Sequence, residues 1–319
     1  MKCVVLDEYP LNSGDLSWGH LPQLVDLKVY DRTPKELIIE RAKDAELILT
    51  NKTVITKEII EALPNLKYIG VLATGYNVVD VEAAKARNIP VTNIPSYSTN
   101  AVAQLVFANL LEVCHHVAHH SEMVMKGRWS TSVDFSFWDY PLIELDGKTI
   151  GLIGFGHIGQ RVAQIAKAFG LNVLVYNRTV RREFEDDQLK FVSLDELLKE
   201  SDFISLHTPL TDQTKGIINK ETIAKMKDKA ILINTSRGPL IVEEDLVEAL
   251  ESNKLFAACL DVVQIEPIPI DSPLLKAPNL FITPHIGWAP FEARRRCINI
   301  AIKNIEGFLN NNLINVVNK

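Results

Sequence analysis

Apolar residues along this chain come in short runs of five to seven positions, separated by polar stretches that carry a helical repeat. The early runs are CVVLD (3–7), LKVYD (27–31), ELILT (46–50), KYIGVLA (67–73) and PVTNI (90–94), with helix-like segments at 34–43, 56–63 and 81–87. A second series follows: TIGLIGF (149–155), NVLVYN (172–177), FISLHT (203–208), AILINTS (230–236), AACLDVV (257–263) and LFITPH (280–285). Strands buried on both faces and alternating with helices predict parallel sheets with crossover helices. The series are separated by a helical pattern over 100–126 and an irregular aromatic stretch, WSTSVDFSFWDYPLIEL (129–145). A last helical pattern spans 291–311. The fold class expected is therefore α/β, with two doubly wound parallel-sheet domains.

Composition narrows the class without changing it. At 319 residues two domains are the prior, and 47% hydrophobic with 23% charged residues is an ordinary globular balance. The net charge of −6 and the lack of a basic stripe argue against nucleic acid as a partner. No apolar run reaches the roughly 18 residues of a membrane span, and the first residues, MKCVVLDEYP, lack a secretory h-region. Cys3, Cys114, Cys259 and Cys297 form no C-x-x-C pair and read as free thiols, which with the rest makes a cytoplasmic location the expectation.

The sharpest local motif is a glycine loop. Gly154, Gly156 and Gly159 form G-x-G-x-x-G between a buried-strand pattern and a helical one. In that context the first glycine permits the tight turn, the second admits a pyrophosphate to the backbone, and the third lets helix and strand pack closely. The helix start at His157 and Ile158 then offers free N–H groups to phosphate. The next strand ends at Asn177, where a carboxylate would read the ribose of NAD. Asn177 cannot repel a 2′-phosphate, and Arg178 follows it, with Arg181 and Arg182 nearby, so NADPH acceptance is expected beside NAD.

Three later strand ends carry Arg237 (in NTSRG), Glu266 (in LDVVQIEP) and His285 (in TPHIGW). A cation, a carboxylate and an imidazole beside a dinucleotide fit proton transfer coupled to hydride transfer. With these motifs in this order, and HTPLT at 207–211, the whole chain resembles the D-2-hydroxyacid dehydrogenase family, in its glycerate dehydrogenase (hydroxypyruvate/glyoxylate reductase) branch. The resemblance implies His285 as the acid–base, Glu266 as its partner, and Arg237 as the residue that binds the substrate carboxylate. It implies Thr74 and Gly75, in LATGYNVVD (72–80), as backbone donors to that carboxylate. It implies cofactor contacts from His207, Thr208, Pro209, Thr235, Ser236 and Asp261, and from Val102 in the hinge stretch at 93–104, with Ala103 beside it. Gln104 stands where the family commonly has Glu.

The same resemblance implies a discontinuous substrate domain (1–98 plus 289–319), a dinucleotide-binding domain (99–288) and a homodimer with the 100–126 segment at its interface. No metal is expected. CHHVAHH (114–120) pairs His115 with His119 and His116 with His120 at zinc-compatible spacing, but no second motif completes a site. The cluster reads as a helix surface or subunit contact. An alternative with the same residues is a dinucleotide-sensing transcriptional corepressor; a small 2-keto or 2-hydroxy acid is the substrate of the first reading.

Overall fold

The computed structural model describes residues 1–319. Strands β1 to β5 are Lys2–Val5, Asp26–Val29, Leu47–Thr50, Tyr68–Val71 and Val91–Thr92. Strands β6 to β12 are Thr149–Ile153, Asn172–Tyr176, Leu189–Phe191, Phe203–Leu206, Ala230–Asn234, Leu255–Leu260 and Leu280–Ile282. Helices α1 to α6 are Leu21–Leu24, Ile38–Ala42, Lys57–Ala62, Val81–Ala86, Thr99–His115 and Val117–Met125. Helices α7 to α11 are His157–Ala168, Leu194–Glu200, Lys220–Lys225, Glu243–Glu251 and Phe291–Leu309. They form two compact units, Met1–Ser98 with Trp288–Lys319, and Thr99–Gly287. The second boundary falls one residue before the one expected from the sequence.

The first unit has a five-stranded parallel sheet in the order β2-β1-β3-β4-β5. β3 and β4 are buried at every position, which is why their sequences carry no alternation. Helix α11 packs against β4; it buries Cys297, Ile298, Ala301, Ile302 and Ile305, and its Phe308 ring lies 5.0 Å from Tyr68. The C-terminal segment then runs antiparallel to the sheet edge, pairing Val316 with Thr92.

The second unit has a seven-stranded parallel sheet, β12-β11-β10-β9-β6-β7-β8. Strand order reverses between β6 and β9, so the loops after these strands diverge to opposite faces and leave a crevice at their carboxyl ends. One core layer packs β6, β9, β10 and β11 against α5 and α7 through Val106, Phe107, Leu110, Val162, Ala166, Phe203 and Ile233. Each aliphatic or Phe side chain so buried contributes roughly 1.5–3 kcal/mol.

Two elements differ from the sequence reading. β8, only LKF, extends the sheet beyond β7 and is too short to show a pattern. The helical pattern over 100–126 is not one helix: it breaks at His116, whose φ is +47, and the two pieces bend by 54°. The His116 ring packs 4.2 Å from Tyr140 and 6.2 Å from Phe281, contacts from distant sequence that a local periodicity does not contain. α5 is a core helix, whereas α6 buries no residue.

Candidate active site

The glycine loop closes as its spacing requires. Gly154 has φ +102, and a Cβ there would lie 2.5 Å from the His207 carbonyl oxygen. A Cβ on Gly159 would lie 2.5 Å from the Gly154 carbonyl oxygen, so α7 and the loop touch backbone to backbone. Gly156 is different: its Cβ would meet nothing within 4 Å. It is the N-cap of α7, with no side-chain cap, so the N–H groups of His157 and Ile158 face open space. That space at a helix N-terminus fits a dinucleotide pyrophosphate.

The ribose end is partly filled by its own chain. Asn177 Oδ1 accepts from the Phe155 N–H (3.1 Å) and its Nδ2 donates to the Thr179 carbonyl (2.7 Å). Arg178 is exposed and makes no hydrogen bond or ion pair, whereas Arg181 pairs with Glu183 and stacks on Phe184. Arg182 is exposed at the start of a short 3-10 turn.

Three polar side chains stand one residue beyond the registered positions Leu206, Asn234 and Leu260, on neighbouring strands: His207, Thr235 and Asp261. Both ring nitrogens of His207 are buried without a hydrogen-bond partner, as is Thr235 Oγ1. Burial pushes the His207 ring down to about 3, so it is neutral in ordinary buffers. Orphaned donors and acceptors beside an open helix N-terminus are the mark of a ligand site. Thr208 is half-buried and Pro209 exposed, its carbonyl accepting from Thr214 Oγ1 (2.7 Å).

The NTSRG turn places Arg237. Asn234 Oδ1 accepts from the Ser236 N–H (3.0 Å) and its Nδ2 donates to the Arg237 carbonyl (2.8 Å), while Ser236 Oγ donates to Leu206 O (2.6 Å). A Cβ on Gly238 would sit 2.0 Å from the Val263 carbonyl, so only glycine lets this turn lie against the exit of β11. The Arg237 guanidinium is exposed; its one bond inside the fold is to the neighbouring Ser236 carbonyl (2.7 Å).

His285 and Glu266 meet. His285 Nδ1 is 2.6 Å from Glu266 Oε2, while Oε1 accepts from the Val263 N–H at 3.2 Å. Nε2 of His285 makes no bond. The residue holds φ +54, a left-handed conformation uncommon outside glycine. Asp261, 2% exposed, keeps that turn in place. Its Oδ1 accepts from Thr283 Oγ1 (2.6 Å) and the Ile286 N–H (2.8 Å), and its Oδ2 accepts from the Gly287 N–H (2.8 Å). A Cβ on Gly287 would come within 3.5 Å of Val102, which places that residue of α5 beside the same turn; Ala103 turns into the core. The sequence reading missed this use of Asp261 and Thr283, since 22 residues separate them and nothing local marks the pairing.

In the first unit Thr74 and Gly75 lie in the loop after β4, Thr74 exposed, with Thr74 Oγ1 donating to Ile94 O at 2.8 Å. The histidine cluster faces its own chain: His119 Nε2 lies 2.7 Å from Asp139 Oδ2, which also pairs with Arg128, and His120 accepts from the Asp139 N–H. No group of His, Cys, Asp and Glu side chains is arranged to hold a metal.

Residues 107–287 match the family described as D-isomer specific 2-hydroxyacid dehydrogenase, NAD binding domain. Over 322 residues the chain is 55% identical to a hydroxypyruvate reductase of Blautia hydrogenotrophica, covering 100% of both chains. It is 40% identical over 323 residues to a glycerate dehydrogenase of Methylorubrum extorquens, covering 99% of this chain and 98% of the other. The fold is similar to that of an acyclic imino acid reductase in complex with NADPH and D-Arg, at 35% identity and a TM-score of 0.85, covering 99% and 100% of the two chains.

Proposed function

Because this chain belongs to the D-isomer-specific 2-hydroxyacid dehydrogenases, its second unit being their NAD-binding domain, we propose that it reduces small 2-keto acids, hydroxypyruvate and glyoxylate foremost, and oxidises the D-2-hydroxy acids they yield. The observation that carries this reading is the pairing of His285 with Glu266 at 2.6 Å, which leaves Nε2 free.

When bound, the dinucleotide supplies or receives the hydride. The chain does the rest. The carboxylate of Glu266 fixes the Nδ1–H tautomer of His285 and stabilises the ring's cationic form. In reduction, Nε2–H donates its proton to the keto oxygen; in oxidation, the Nε2 lone pair takes the hydroxyl proton. The Arg237 fork pairs with the substrate carboxylate and polarises the keto oxygen. The Thr74 and Gly75 N–H groups are assigned to a carboxylate as well. The backbone at Gly156, His157 and Ile158 would hold the pyrophosphate, in a loop whose close turns require Gly154 and Gly159. Asp261 has three of its roughly four acceptor positions filled by the His285 turn, so one remains for a carboxamide donor.

Arg178, unpaired beside Asn177, supports use of NADPH as well as NADH. Arg178→Ala is expected to raise the NADPH KM about tenfold, the scale of one charged hydrogen bond, with little change for NADH. An unaltered preference for the two cofactors would remove this part of the reading.

We infer a homodimer through α6 and the 129–142 segment rather than through α5. Val133, Phe135, Trp138 and Met125 are 102%, 91%, 65% and 84% exposed, an apolar surface of the kind that marks a protein interface.

The deciding experiment measures initial rates of NADH and NADPH oxidation with glyoxylate, hydroxypyruvate and pyruvate, beside His285→Ala. The reading expects turnover that the variant loses. Tight cofactor binding with no turnover is what the corepressor alternative expects.

A further inference from the structure

The loop after β4 is aimed by side chains to which the sequence assigned no role. The Ala73 carbonyl accepts from the Ile94 N–H (3.0 Å), and the Thr74 carbonyl accepts from Asn93 Nδ2 (2.8 Å). Both carbonyls therefore point at the 93–94 segment. In a trans peptide the carbonyl of one residue and the N–H of the next point in opposite directions. The N–H groups of Thr74 and Gly75 are thus turned away from that segment, and neither makes a hydrogen bond within the fold. Two successive free N–H groups on one side of a turn make an anion-binding concavity.

Asn93 is itself held on both sides. Its N–H donates to the Asn315 carbonyl (3.2 Å) and its carbonyl accepts from Asn304 Nδ2 (3.0 Å). Asn304, on α11, is 1% exposed; its Oδ1 accepts from Asn315 Nδ2 (2.8 Å), and its Nδ2 also reaches Thr92 Oγ1 (3.4 Å). A buried amide with all its groups engaged permits one geometry and resists others. On the far side Asn51 Nδ2 donates to the Leu72 carbonyl (2.9 Å), anchoring the start of the same loop.

Resting on the assignment of this loop to the substrate carboxylate, we propose that Asn93 is a positioning residue: its amide holds the Thr74 carbonyl inward so that the Gly75 N–H stands ready for the carboxylate, and Asn304 and Asn315 hold Asn93. The ligand class is a short 2-keto acid or its unreactive analogue oxamate.

The test compares wild type with Asn93→Ala and with the isosteric Asn93→Asp, which keeps the volume and loses the donor. Four quantities are measured: KM and kcat for hydroxypyruvate, Ki for oxamate, and Kd for the dinucleotide. KM and Ki are expected to rise together by about tenfold, the low end for a hydrogen bond to a charged group, with kcat and the dinucleotide Kd within about threefold of wild type. A general structural defect would lower kcat and cofactor affinity as well. Asn315→Ala, which removes the donor to Asn304 Oδ1 and so loosens the amide that holds the Asn93 carbonyl, should give the same signature at smaller size. KM and Ki that stay within about threefold in both Asn93 variants of an active enzyme overturn the proposal alone. A wild-type protein that turns over none of the three keto acids and binds no oxamate overturns the functional reading, and this inference with it.

Discussion

In the proposed mechanism the two ring nitrogens of His285 have separate duties, and Glu266 enforces the division. Nδ1 is committed to a carboxylate whose other oxygen is already held by the Val263 N–H. That leaves one proton path, through Nε2. Glu266→Gln keeps the shape and one acceptor but removes the negative charge that stabilises the imidazolium. Charged hydrogen bonds contribute roughly 1.5–3 kcal/mol, so kcat/KM for reduction should fall about 10- to 100-fold at neutral pH. Glu266 is more than a third exposed, so unfolding by urea should show little change. Equal losses of activity and stability would mean the residue supports the loop rather than the proton. The placement of these side chains was legible in the sequence, because Arg237, Glu266 and His285 each follow a recognisable strand. Their supports were not. The turn that presents His285 depends on Asp261 and Thr283, and the loop at Thr74 depends on Asn93; each is a contact set by folding rather than by spacing.

At the scale of elements, α7 and the strand ends before it define a cradle whose parts can be tested separately. Gly156 has space for a side chain and an ordinary backbone conformation, φ −74. Gly156→Val should therefore fold with an unaltered melting temperature and yet lose dinucleotide binding, read by calorimetry; retained affinity would place the pyrophosphate elsewhere. His207, one strand away, sets an acid limit on the fold. Its ring ordinarily titrates near 6.5 but is depressed by burial to about 3. Below pH 6.5 the unfolded chain gains a proton there that the folded chain refuses, so stability falls as pH drops through that window and is unaffected above it. In urea unfolding at pH 7.5 and pH 5, wild type should lose more stability than His207→Gln; equal losses would mean the ring is hydrated. Helices and strands with strong patterns were legible without coordinates. The exceptions have physical reasons: β8 has three residues, and the elbow at His116 contains neither proline nor glycine, its left-handed turn being fixed by the Tyr140 and Phe281 rings.

For the whole molecule, the apolar segment after α6 predicts association. Phe135→Asp with Trp138→Asp should convert a dimer to a monomer in sedimentation velocity, since a charge desolvated in such an interface is costly. A wild type already monomeric at micromolar concentration would remove the dimer reading. The division into units carries a different consequence, for synthesis. Unit 1 is interrupted: its chain stops at Ser98 and resumes at Trp288. What resumes is α11, with six apolar or thiol side chains buried in that unit, and the segment that pairs with edge strand β5. A nascent chain growing at about 5–20 residues per second takes roughly ten to forty-five seconds to supply them. During that interval the face of β4 that α11 will cover, and the β5 edge, are bare, whereas Thr99–Gly287 has all of its own core as soon as residue 287 is made. The unit translated first is thus the last to be completed, and its uncovered sheet is the surface a ribosome-bound chaperone would meet.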